Sequence, residues 1–343
     1  MNKALITGVT GQDGAYLSQL LLRENWEVTG VIDPSRPARL GKLDYLGIAN
    51  DIALYTCPLT DRDAVMGMIG EEAPDIIFNL AAQSSVGASF GDPIGTIEFN
   101  LASVLNLLEA IKAEGANIRF YQASSSEMYG AVNNLPVTET TPMHPRSPYA
   151  ISKAAAHWSA VNYRESYGLF VCCGILFNHE SFLRDGRFFV KKVKTDALDV
   201  ADGLKDVIRV GNLDVRRDFG YSPEYVRAMY SIATAATPGD YLVCSGCSIS
   251  LRQILNHVLK RNGLSWDIVT VDKALYRPAE IADMYGDSTK ARKELKWHYN
   301  MDFLKVLDIL IEEERRNRER VASSPLGSES PISPSLSVDL SKG

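Results

Sequence analysis

The chain has 343 residues, 45% of them apolar, which is enough to bury a large core in one main domain with a smaller one beside it. A net charge of -6 and a pI near 5.5 leave no basic footprint for nucleic acid or an anionic membrane surface, since both require clustered Lys and Arg. No apolar run reaches the roughly eighteen residues of a membrane span, "MNKALITG" begins a strand rather than a signal peptide, and five cysteines without framework spacing (Cys57, Cys172, Cys173, Cys244, Cys247) fit a reducing, cytoplasmic compartment.

Taken in order, apolar runs alternate with helical patterns: "KALITGV", a helix over 15–23, "WEVTGVID", "IALYTC", a helix over 61–70, "DIIFNLAA", a helix over 100–114, then "RFYQASSS". Short unbroken apolar strands between amphipathic helices imply an α/β fold, a doubly wound parallel sheet of the Rossmann type. Beyond residue 180 the rhythm loosens into polar loops, short strands ("DVIRVG", "DYLVCSG") and helices such as "SLRQILNHVLKRNG". The expected division is a nucleotide-binding domain over 1–180 with returning segments from 205–245, and a smaller C-terminal substrate-binding cap over 181–318, mainly 181–204 and 246–318. "CSGC" at 244–247 is a lone CxxC after an apolar run; with no second pair or nearby His it predicts a strand end and a turn, and no metal site. The last helix, "DFLKVLDILIEEERRNRERV", gives way to a Ser- and Pro-rich segment that cannot build a core, so 321–343 is expected to be a disordered tail.

Gly8, Gly11 and Gly14 lie between the first strand and the first helix, where a tight turn lets the backbone approach a pyrophosphate placed at the positive helix N-terminus. The next strand ends at Asp33, a carboxylate able to accept hydrogen bonds from an adenosine ribose and to repel a 2′-phosphate, which favours NAD. Ser35, Arg36 and Arg39 follow closely and could hold a phosphate, so NADP stays open. Tyr149 and Lys153 in "YAISK" are one helical turn apart on one face. A phenol with a pKa of about 10 is a poor base at neutral pH, and a neighbouring ammonium can favour the phenolate. The order of a glycine turn, a serine ending a later strand (Ser125), then Tyr and Lys on the following helix is one that chance rarely supplies.

These motifs resemble the extended short-chain dehydrogenase/reductases, and among them the GDP-mannose 4,6-dehydratase family. The resemblance spans about residues 3–318 and rests on "TGVTGQDGAYL", "NLAAQSSVGASF", "FYQASSSEMYG", "HPRSPYAISKAAAHW", "NYRESYGLF", "GILFNHES", "VGNLDVRRDFGYSPEYVRAMY" and "YRPAE". It implies intramolecular-redox dehydration of a nucleotide-hexose, GDP-mannose first among them, with Ser125, Glu127, Tyr149 and Lys153 catalytic. The implied cofactor set is Gly8, Gly11, Gln12, Asp13, Gly14, Asp33, Arg36, Leu80, Ala81, Ala82, Tyr149 and Lys153. The substrate set is Ser84, Ser85, Asn178, Lys192, Arg217, Arg277 and Glu280, and the assembly a homodimer or tetramer. Simple oxidation needs no Glu127; losing water from sugar carbons 5 and 6 needs a proton shuttle, which a carboxylate provides. His179 is expected to support the fold.

Departures from the family pattern fall in "DPSRPARLG", in "CPLTD" where "GDLTD" is usual, at Ser85 where a histidine is common, and in "FLRDG" at 182–186, which keeps Arg184 but sets Asp185 near the substrate's phosphates. A 4-keto sugar reductase or epimerase of the same fold, and a catalytically idle NAD(P)-binding regulatory protein, are the alternatives.

Overall fold

The computed structural model describes residues 1–35, 37–115 and 117–323. Arg36 and the segment 324–343, most of the expected tail, lie outside the described residues. The first half runs β1 (Lys3–Thr7), α1 (Gln12–Arg23), β2 (Glu27–Ile32), α2 (Gly41–Tyr45), β3 (Ala53–Thr56), α3 (Arg62–Glu72), β4 (Ile76–Asn79), α4 (Val86–Gly91), α5 (Pro93–Glu114), β5 (Arg119–Ser125), α6 (Pro148–Tyr167) and β6 (Val171–Leu176). The second half adds β7 (Asn178–Glu180), α7 (Phe189–Ala201), β8 (Ile208–Val210), β9 (Arg216–Tyr221), α8 (Ser222–Ala233), β10 (Asp240–Val243), β11 (Ser248–Ser250), α9 (Leu251–Arg261), β12 (Val269–Val271), α10 (Thr289–Leu295) and α11 (Phe303–Ser323).

Seven strands pair in the order β10-β6-β5-β4-β1-β2-β3, every pair parallel. Helices cover both faces, so central strands such as β6 (VCCGIL) are buried along their whole length and read as unbroken apolar runs. One face packs α1 and α8, with Leu17, Leu21, Val226 and Met229 in its core; the other packs α3, α5 and α6, with Met68, Leu107, Leu108 and Ala160. Of residues 205–245, α8 and β10 return to this layer, whereas β9 pairs with β7 and β11, and β8 with β12. These smaller sheets, with α7, α9 and α11, enclose cores of their own around Val193, Ile208 and Leu255, and around Val190, Phe219 and Leu307.

The expected start of one helix needs correction here. The helix expected from residue 100 starts at Pro93, because Asp92 caps it by accepting from Gly95 N at 3.0 Å and proline is well placed in a first turn. So extended, α5 is long and apolar enough by length and composition to cross a membrane, although no uninterrupted apolar run of that length exists. Its buried face includes Thr96, Asn100 and Ser103, and it packs on α3 and α6 as a core helix. The turn expected at "CSGC" is present: Cys244 follows β10, Gly246 has φ +88°, and the thiols of Cys244 and Cys247 are free.

Candidate active site

The carboxyl ends of the parallel strands place Thr7, Asp33, Leu80 and Ser125 along one edge of the sheet. At β1, the chain turns through Gly8 at φ +72°, where a Cβ would lie 2.9 Å from Ala81 N; a Cβ on Gly14 would lie 2.4 Å from the Gly8 carbonyl oxygen. Only glycine permits this packing. The N-cap of α1, Gly11, has no side chain to satisfy the first backbone N–H groups, which stay available to a pyrophosphate. This cradle fits a dinucleotide.

The side chains of Gln12 and Asp13 turn into the fold instead. Asp13 accepts from Ser222 Oγ and pairs with His179 Nε2, both at 2.9 Å; Gln12 Nε2 donates to the His179 carbonyl at 3.2 Å, and Gln12 Oε1 accepts from Ser181 Oγ at 2.7 Å. Burial opposes the Asp13 charge, but His179 and Arg184 outweigh it and hold the carboxyl far below its ordinary range. What these two residues leave for a ligand is their backbone N–H groups. His179, its Nδ1 on the Phe177 carbonyl at 2.6 Å and its ring stacked on Tyr225, serves the fold as expected.

Asp33 follows β2 directly, and Oδ1 accepts from Ser35 N and Oγ at 2.9 and 2.7 Å. Thr7 donates to Asn79 Oδ1 at 2.6 Å and accepts from both Leu80 N and Ala81 N at 3.1 Å, fixing the loop that continues through Ala82. Further along that loop Ser84 is exposed, while Ser85 caps α4 by accepting from Ala88 N at 3.2 Å. Asn100 on α5 clamps the same loop, accepting from Gln83 N at 2.8 Å and donating to Gln83 O at 3.1 Å and to Ser152 Oγ at 2.9 Å; Ser152 in turn donates to the Tyr149 carbonyl. Sequence reasoning missed Thr7 and Asn100.

Ser147 caps α6 by accepting from Ala150 N, and Pro148 starts the helix, so Tyr149 and Lys153 project from its first turns toward the end of β5. Both are buried. Burial pushes the Tyr149 phenol up to about 12; the adjacent Ser125 hydroxyl favours the phenolate and the Glu127 charge opposes it. Burial likewise pushes Lys153 down to about 8, and its ammonium donates to the Ala123 carbonyl. Burial is the largest cause of the phenol's upward shift, and the Lys153 ammonium is turned to the Ala123 carbonyl.

Glu127 sits in a single 3₁₀ turn, its N–H donating to Ser125 Oγ at 3.3 Å. It is half-buried, and its charge acts on both Tyr149 and Arg217. Arg217, on β9 and only 6% exposed, donates to the carbonyls of Arg216 and Ile281 at 2.7 and 2.6 Å and pairs with Glu280 at 3.5 Å, with Arg277 close enough to repel it. Asn178 Nδ2 donates to the Asp218 carbonyl at 3.3 Å. Lys192 stands apart, its ammonium taken up by Asp196 and the Arg209 carbonyl, each at 2.6 Å.

A family model described as GDP-mannose 4,6 dehydratase matches residues 5–310. The chain belongs to the GDP-mannose 4,6-dehydratase family. It is 40% identical over 331 residues to GDP-mannose 4,6 dehydratase 2 of Arabidopsis thaliana, covering 93% of this chain and 88% of that protein. It is 37% identical over 328 residues to the GDP-mannose 4,6 dehydratase of Homo sapiens, with 88% of each covered. Among solved structures, the UDP-glucose 4-epimerase of Thermus thermophilus in complex with NAD superimposes with a TM-score of 0.80 at 26% identity, covering 91% of this chain and 99% of that one. The GDP-mannose 4,6-dehydratase family membership and the seven-stranded sheet accord with the expected fold.

Proposed function

We propose that the chain is a lyase that removes water from GDP-mannose, giving the 4-keto-6-deoxy sugar nucleotide, with a nicotinamide dinucleotide held throughout the cycle. The observation that carries this reading is the position of Glu127, two residues beyond Ser125 and electrostatically coupled both to Tyr149 and to Arg217. When bound, the dinucleotide supplies hydride acceptance and return, and the positive charge of its oxidised ring. The glycine turn of Gly8, Gly11 and Gly14 and the first N–H groups of α1, at Gln12 and Asp13, would hold its pyrophosphate. Leu80, Ala81 and Ala82 would flank it, and Asp33 would accept from the adenosine ribose, which favours NAD over NADP.

Tyr149 accepts the proton of the sugar 4-hydroxyl, with Ser125 orienting that hydroxyl. Arg184 favours the phenolate against its desolvation, and the positive ring of the oxidised dinucleotide would add to this when bound, each pKa unit being worth about 1.4 kcal/mol. Oxidation at carbon 4 acidifies the hydrogen at carbon 5, which Glu127 removes and then delivers to the departing 6-hydroxyl, releasing water. Arg217 and Arg277 hold the diphosphate, Asn178 and Ser84 the sugar side, and Glu280 suits guanine, whose ring N–H and amino group both donate. Lys192 joins this set only by releasing Asp196, and Ser85 only by uncapping α4.

The protein is cytoplasmic in this reading, in line with its free thiols. It forms a homodimer through α5 and α6, which expose Ile94, Ile151 and Trp158 at 69, 47 and 56%. The test is incubation with GDP-mannose and a catalytic trace of NAD. A 4-keto product without added hydride donor supports the proposal; turnover only with stoichiometric reduced cofactor identifies a ketoreductase instead, and none with either overturns it.

A further inference from the structure

Behind the catalytic serine, on the α6 side of the sheet, lies a buried polar cluster that the proposed mechanism does not use. His157, one turn past Lys153 on α6, Cys173 on β6 and Asp240 at the start of β10 bring Nε2 or Nδ1, Sγ and a carboxylate oxygen within 4.8 Å of one another. Cys173 and Asp240 are direct partners in the β6–β10 register. Such a set resembles metal ligands, but its anionic member is already neutralised. Both Asp240 oxygens accept from the Arg164 guanidinium at 2.8 Å, and the Cys173 thiol donates toward the same carboxylate. His157 Nδ1 is also occupied, lying 2.9 Å from Ser124 Oγ. In the tautomer with the ring proton on Nε2, Nδ1 accepts from the serine.

Ser124 immediately precedes Ser125, and the residue before it, Ala123, gives its carbonyl to Lys153. The end of β5 is therefore pinned to α6 twice, by Lys153 at Ala123 and by His157 at Ser124, one residue short of the hydroxyl beside Tyr149.

Resting on the functional reading above, we infer that His157 is a positioning residue for the dehydration reaction: through Ser124 it fixes the strand end that aims Ser125 at the Tyr149 phenol and the substrate 4-hydroxyl, and the Arg164–Asp240 pair fixes His157 in turn. The charged and titratable groups facing His157 are Asp240, Arg164, Lys153 and Cys173. A ring held neutral by burial among them adds no cation next to Lys153.

The experiment compares the unaltered protein with His157→Leu, His157→Gln and Ser124→Ala, measuring kcat, KM for GDP-mannose, nicotinamide binding and the limb of the profile on which kcat rises with pH. His157→Leu should lower kcat about tenfold or more, the scale at which small misplacement of a reacting group acts. KM and cofactor affinity should stay within about twofold. The limb on which kcat rises with pH should move to higher pH, because the Ser125 hydroxyl no longer favours the phenolate. His157→Gln, which keeps an acceptor for Ser124, should restore most of the rate. Ser124→Ala should mimic His157→Leu, and the double variant should lose no more than either. Full activity in His157→Leu, parallel loss of kcat and cofactor binding, or no rescue by His157→Gln overturns the inference while leaving the dehydratase reading intact. Absence of turnover in the unaltered protein overturns both.

Discussion

At the scale of single residues, the proposal turns on a division of labour between two acids. Glu127 is placed to move a proton, whereas Asp13 is kept ionised by His179 and Ser222 and has no free oxygen to give. Glu127→Gln keeps shape and hydrogen bonding but cannot shuttle a proton, so kcat for dehydration should fall between about 10²- and 10⁴-fold with cofactor binding unchanged. Product assay alongside cofactor titration checks this, and undiminished turnover removes the role. Asp33 bears on a different choice. With Ser35 steadying its carboxylate at the end of β2, it should accept from a ribose and repel a 2′-phosphate. Asp33→Ala should therefore weaken NAD roughly tenfold relative to NADP, the worth of one charged hydrogen bond; an unchanged ratio of affinities would refute the preference for NAD.

At the scale of elements, what could be read in advance was whatever neighbours encode. The glycine turn, Ser125 at a strand end, and Tyr149 with Lys153 one turn apart are local patterns, and each lands where its spacing puts it. The Asp92–Pro93 start of α5 and the Lys192–Asp196 pairing were local too, as a cap and an i,i+4 ion pair, and were passed over. Thr7, Asn100 and His157 were not legible, because their partners at Leu80, Ser152 and Ser124 come together only when β4, α6 and β5 are laid side by side. The Tyr149 phenol shows a further limit: residue types announce a charge pair, but the balance between attraction and desolvation depends on burial that spacing does not carry. The same balance acts on Asp218 of β9. Burial raises its carboxyl to about 6 even though Ser245 and the Gly246 N–H bond to it. A carboxyl with a raised native pKa binds its proton more tightly folded than unfolded, so its contribution to stability declines as pH rises from about 4 to about 6 and is level above that. Urea unfolding across this range should show the decline in the unaltered protein and a flatter dependence in Asp218→Asn; identical slopes would assign the titration to other groups.

At the scale of the whole molecule, the last helix ties the smaller sheets to the cofactor edge. On α11, Glu314 accepts from Lys191 and Lys194 of α7 at 2.7 and 2.6 Å, and Lys191 also donates to the Phe182 carbonyl at 3.0 Å. The Phe182 ring stacks on Tyr45 of α2 with centroids 4.6 Å apart, and Tyr45 returns to α11 through Glu313 at 2.7 Å. One strap thus joins α7, α11, the 182–188 loop that carries Arg184, and the helix that follows Asp33. Lys194 is fully buried, and desolvation pushes it down to about 8 despite its partner. Because the folded state holds that proton less tightly than the unfolded chain, this group's contribution to stability rises as pH increases from about 8 to about 10.5. Removing Glu314 should be costly, since it leaves a buried ammonium without its counter-charge: Glu314→Ala is expected to lose about 3–5 kcal/mol in denaturant unfolding at neutral pH. Replacing both partners, Lys194→Met with Glu314→Leu, should recover most of that loss, because an apolar pair of similar volume pays no desolvation. If the double variant is as unstable as Glu314→Ala, the strap stabilises through its tie to Lys191 and Phe182 rather than by neutralising Lys194; cofactor affinity in the same variants then reports whether the 182–188 loop has lost its place.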